Sequence, residues 1–126
     1  MIRNKYSNKS VVVRVIAFRK KEGSPVEVKV TPDVLDMELF DKGPKVITWK
    51  LDTVGFRFAP EGAIEITSPG AEKVFGRPVV SKEGRVVKVT NENNDGRAYA
   101  YNVRVLDEET QEVTVLDPSI GNRRPY

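Results

Sequence analysis

Arg97-Ala98-Tyr99-Ala100-Tyr101-Asn102-Val103-Arg104-Val105-Leu106 decides how this chain is read. Tyr99, Tyr101, Val103 and Val105 alternate with Ala98, Ala100, Asn102 and Arg104, a strict period of two. In a strand that period sends one set of side chains to a core and the other to solvent. A ten-residue strand of this kind needs partners, and the flanking sequence supplies them. Val86 to Thr90 is rich in β-branched residues, and Asn94-Asp95-Gly96 reads as a hairpin turn between it and the long strand. On the other side, Asp107 to Gln111 reads as a polar turn, and Val113 and Val115 as a last strand that Asp117-Pro118 ends.

Further upstream the pattern repeats. Val11 to Phe18 is a β-branched run. Val26, Val28 and Val30 alternate with polar residues, as do Ile47, Trp49 and Leu51, then Phe56 and Phe58, then Ile64 and Ile66. Gly43-Pro44, Pro60-Glu61-Gly62 and Gly76 with Pro78 break these runs apart. Ser68-Pro69-Gly70 is a further breaker that suits the start of a single helical turn through Val74. Seven or eight strands and no amphipathic helix point to an all-β protein. The expected architecture is a two-sheet antiparallel sandwich, immunoglobulin-like or cupredoxin-like. With 126 residues the chain has the length of one domain. The expected boundaries are an N-terminal arm over 1–10, the sandwich over 11–120 and a C-terminal arm over 121–126.

Composition removes several chemistries. There is no cysteine and no histidine. Disulfides, thiolate nucleophiles, iron–sulfur ligation, a Ser-His-Asp triad, His-ligated zinc and a blue-copper site are all beyond this chain alone. No cofactor is expected. No apolar segment is long enough to cross a bilayer as a helix. The one candidate for a secretory leader, Val11 to Phe18, is interrupted by Arg14, so a cytoplasmic location is the default expectation.

The net charge of +3 is unevenly spread. Residues 1–24 carry seven bases and one acid, whereas 25–69 carry five bases and eight acids. Arg3, Lys5, Arg19, Lys20 and Lys21, with Arg123 and Arg124 near the other end, are the candidate partner-binding residues. Clustered cations beside Tyr6 would suit phosphates and a stacked base. Tyr99 and Tyr101, on a face shared with valines, read as core instead. Two acidic features bear on calcium. Asn91 to Gly96 has oxygen-bearing side chains followed by glycine, but Asn102 stands where a bidentate Glu is needed, so it reads as a β-turn. Asp107, Glu108, Glu109, Glu112 and Asp117 read as a solvated turn.

Asp95, Tyr99 and Tyr101 have the spacing of the Asp, Tyr and Cys that open strand F of antibody-type domains. The resemblance makes Tyr99 a tyrosine-corner residue and Trp49 the core tryptophan. Arg97 occupies a position where a small residue is usual. A second resemblance spans roughly residues 26–122. Val30-Thr31-Pro32-Asp33, Trp49-Lys50-Leu51, Phe56-Arg57-Phe58, Tyr99-Ala100-Tyr101 and Leu116-Asp117-Pro118-Ser119-Ile120-Gly121-Asn122 resemble the bacterial DP-EP family. That resemblance implies a copper-free cupredoxin-like or immunoglobulin-like sandwich with no established activity. The functional expectation is a non-catalytic binding or assembly module with a protein partner, or a second copy engaged through an edge strand or terminal arm. The alternatives are a small single-stranded nucleic-acid-binding barrel and, last, an enzyme built on carboxylates.

Overall fold

The computed structural model describes residues 10–123. Among them the chain forms β1 (Ser10–Phe18), β2 (Glu27–Thr31), β3 (Val34–Asp36), β4 (Lys45–Leu51), β5 (Phe56–Phe58), β6 (Ile64–Ile66), β7 (Val79–Val80), β8 (Val86–Asn91), β9 (Ala98–Asp107), β10 (Val113–Leu116) and β11 (Ser119–Gly121). Two short 3-10 turns, Met37–Leu39 and Ala71–Lys73, are the helical elements. No helix of the described residues is long and apolar enough to cross a membrane.

The strands make an all-β sandwich of two packed sheets. One sheet has the order β2-β1-β4-β8-β7. The other is built on β9, which pairs β5 and β6 along one edge and β10 and β11 along the other, with β3 outside β11. β9 is the strand whose alternation was plainest, and its inward residues Tyr99, Tyr101, Val103 and Val105 are all buried. They meet Val11, Val13, Val15, Ile47, Trp49, Leu51, Val87 and Val89 from the facing sheet in one continuous core. The indole N–H of Trp49 donates to the Tyr101 hydroxyl at 3.2 Å, and the two rings meet edge to face at 5.4 Å. Burial pushes the Tyr101 phenol up to about 12. Paired with Trp49, that hydroxyl satisfies the one polar atom each ring brings into the core.

Several sequence expectations need correction. The sheets are mixed rather than purely antiparallel: β1 runs parallel to β4, and β3 parallel to β11. The chain passes from β2 in one sheet to β3 in the other and back to β4, so β4 can lie beside β1 in the same direction. Three short strands, β3, β7 and β11, add to the eight read from periodicity. Asn94-Asp95-Gly96 does not close a hairpin, because β8 and β9 belong to different sheets. Asp117-Pro118 does not end the last strand. Leu116 faces Val103 and Ser119 faces Ala100, which is one unbroken register across the proline. The Pro118 carbonyl still accepts from the Tyr101 N–H at 3.1 Å, so only the missing proline donor interrupts the ladder. Gly121 therefore lies in a strand, and Asn122 is buried. Residues 121–123, expected to open a C-terminal arm, instead belong to the fold, and 124–126 lie outside the described residues. Val113 and Val115 are on the solvent face, while Leu116 and Ile120 turn toward the core. The turn through Val74 does form, but Gly70 caps it, and the Ser68 hydroxyl instead accepts from the Ala100 N–H.

Candidate functional site

A sandwich with open sheets ends in strands whose outward N–H and C=O groups have no ladder partner. Which edge is usable depends on what blocks it. β2 has β10 of the opposite sheet packed beside it. At β7, Ser81 bonds to Val86, so the outward groups are those of Val80 and Pro78, and Pro78 has no N–H to offer. At β6 the bonds from Arg104 N–H to Ala63 and from Thr67 N–H to Ala100 leave Ile64 and Ile66 facing outward. A cleft of 510 Å³ lined by Ile64, Ile66, Ala71 and Phe75 lies there. Ile64, however, is only 2% exposed, so its backbone is covered.

β3 differs from all three. The Ser119 N–H donates to the Asp33 carbonyl at 3.1 Å, with Ser119 opposite Val34 in a parallel ladder. In such a ladder the neighbours of the paired residue make the bonds, so Leu35 faces β11. The N–H and C=O of Val34 and Asp36 point away from the sheet. Val34 is 59% exposed, Asp36 is exposed, and Leu39 in the 3-10 turn beyond is 80% exposed. Asp33, Val34, Leu116, Asp117, Pro118 and Ser119 line a shallow cleft of 240 Å³ at the start of β3, on the side of the β10–β11 turn. The edge thus joins free backbone groups, exposed aliphatic side chains and the carboxylate of Asp36.

A polar cluster at the end of the sandwich fixes the position of this edge. The Asn91 and Asn122 carboxamides exchange two hydrogen bonds, at 2.8 and 3.2 Å, while fully or almost fully buried. Asn122 also donates to Asp95 at 3.2 Å, and the Tyr99 hydroxyl donates to the other Asp95 oxygen. Burial raises the Asp95 pKa, but the bonds from Tyr99, the Arg97 N–H and Asn122 outweigh it and hold the carboxyl below its ordinary value. The bond resembling a tyrosine corner therefore runs to a carboxylate rather than to an upstream carbonyl. Asn93, at φ 54, accepts from the Arg123 N–H at 2.8 Å and donates to the Gly43 carbonyl at 3.2 Å. The oxygens that looked like a calcium loop are engaged by protein donors. Arg123 then reaches across to the Glu38 and Phe40 carbonyls at 2.7 and 2.8 Å, with the Glu38 carboxylate at 3.7 Å. These bonds clamp the 3-10 turn that continues β3.

The other expected site residues fall as follows. Trp49, Tyr99 and Tyr101 are core, and Asp95 belongs to the cluster. Arg19 binds Asp107 at 3.0 Å and the Ser24 carbonyl at 3.0 Å. Burial raises the Asp107 pKa, but Arg19 and the N–H groups of Glu109 and Thr110 bring it below its usual value. Lys20 sits 3.7 Å from Glu27, and Lys21 is exposed in the turn that Ser24 closes. Arg19 and Arg123 thus work inside the fold. Arg3, Lys5 and Arg124 lie outside the described residues. Sequence reading missed β3 as an edge: three residues after a proline carry too little periodicity to register. Among the described residues no three His, Cys, Asp or Glu side chains gather as a metal site. A scan of protein-family models and a search of curated protein sequences both return no match.

Proposed function

We propose that this sandwich is a non-catalytic protein-binding module that takes an extended segment of its partner onto β3. The observation that carries the reading is the outward backbone of Val34 and Asp36, exposed beside Leu39 and held in place by the Arg123 clamp. Strand addition to a free edge supplies main-chain hydrogen bonds, and the alternating side chains supply selectivity. β3 is a short edge, and the Arg123 clamp holds its outward groups where a partner strand can add to them. We extend the same proposal to the DP-EP resemblance. Its most specific block, Leu116 to Asn122, provides both the strand that carries β3 and the amide that anchors the polar cluster.

Site-directed photo-crosslinking in cells of the natural host tests the docking reading. A photoreactive residue at position 34 is expected to yield discrete protein adducts. The same residue at the outward-facing Val12 of β1 is the control. Adduct patterns that are absent at 34, or identical at 34 and 12, overturn the proposal.

A further inference from the structure

We infer that the segment docked on β3 carries an apolar and a basic side chain two residues apart on its outward face. This inference rests on the docking reading above. The ladder dictates the spacing. Val34 and Asp36 both present their N–H and C=O to the incoming strand, and both side chains lie on the outer face of the sheet. A strand pairing there places alternate residues beside Val34 and beside Asp36. Next to Val34, with Leu116 half-buried in the adjoining cleft, an apolar side chain covers surface that is otherwise wet.

Next to Asp36 the preferred neighbour is a cation. One Asp36 oxygen already accepts the Glu38 N–H at 2.9 Å, and the other remains an acceptor. Arg123, beside the 3-10 turn, is occupied with Glu38 and Phe40. The same carboxylate disfavours a second copy offering its own β3. A two-fold pairing of that edge sets Asp36 against Val34 or against its own copy, so no cation comes beside the carboxylate.

The probe is a capped synthetic peptide, Ser-Val-Thr-Lys-Thr-Val-Ser, titrated into the 15N-labelled full chain, with a twin carrying Glu in place of Lys. The lysine peptide is expected to shift the amides of Val34, Leu35, Asp36 and Ser119. It should bind roughly five- to ten-fold more tightly than the glutamate twin, given the size of cross-strand charge effects. The preference should shrink as salt is raised. Asp36→Lys should reverse the preference. Because Asp36 also caps the 3-10 turn, Asp36→Asn, whose amide oxygen keeps that cap while removing the charge, serves as the second variant and should abolish most of the preference.

Equal binding of both peptides at residues 34–36 overturns the charge inference while leaving the docking reading standing. No shifts at millimolar peptide, or shifts confined to another face, overturn the inference, and the crosslinking at position 34 then judges the docking reading separately. Shifts at 34–36 that follow protein concentration alone assign the edge to a second copy and overturn the peptide inference.

Discussion

Asn122 makes three side-chain hydrogen bonds from a site that is 5% exposed, two with Asn91 and one to Asp95. Its truncation strands the Asn91 amide in the interior, and a buried polar group left without a partner costs roughly 1–3 kcal/mol. Asn122→Ala should therefore lower the unfolding free energy by that much, read in urea as an earlier midpoint at an unchanged slope. Tyr101→Phe should cost a similar amount, because the Trp49 N–H loses its acceptor. Three carboxylates are held below their ordinary pKa, Glu65 by Arg104 at the surface and Asp95 and Asp107 in more covered sites, and the last two contribute to the acid limit. Their folded values lie below the unfolded value of about 3.9. Their stabilisation is complete above that pH and fades as the pH falls through the lower folded values. Asp95→Asn should flatten the acid side of a stability–pH curve measured by urea titration. Tyr101 acts at the other end with the opposite sign. Its folded pKa of about 12 exceeds the unfolded value of about 10, so stability is full below pH 10 and declines as the pH rises toward 12. The same titration, carried upward with Tyr101→Phe as reference, checks this.

At the scale of elements, the last strand shows what alternation can and cannot reveal. Ile120 is fully buried in β11, a strand that resumes the register of β10 after Pro118. Ile120→Ala should cost about 2–5 kcal/mol in a denaturant titration, the usual range for emptying a core site, whereas a residue beside a frayed arm would cost close to nothing. The long strands were legible because five or more alternating residues average over local exceptions. β9 behaves as its pattern says, and β4 does so at Ile47, Trp49 and Leu51 while Thr48 on the other face is also buried. The errors share a physical origin. A proline was read as a stop, although it removes one donor and leaves its carbonyl free to accept. A turn signal at Asp95-Gly96 was read as a hairpin, although the same residues suit a connection that crosses between sheets. β3 buries only Leu35 among its three residues, so nothing in its composition separates it from loop. Its pairing with β11 spans 85 positions of sequence, a relation that local pattern does not encode.

For the molecule as a whole, the uneven charge of the chain becomes a set of long-range ties. Arg14 pairs with Asp52 at 3.2 Å, and Arg19 with Asp107 at 3.0 Å. The first is exposed and contributes little; the second holds a nearly covered carboxylate that also accepts two backbone N–H groups. Cations near the start of the chain, expected to face a partner, are in part joined to acids of the fold. The acids of residues 33–36 stay at the surface, on an edge whose position the buried amide cluster secures. Native-state hydrogen exchange followed by NMR on the unliganded chain tests that arrangement directly. The amides of β4, β8 and β9 should exchange only through global unfolding. Along β3 the amide of Leu35 should be slow while those of Val34 and Asp36 exchange quickly, since only Leu35 faces β11. Slow exchange at both Val34 and Asp36, or fast exchange at Leu35, would contradict a β3 that is paired on one side and open on the other.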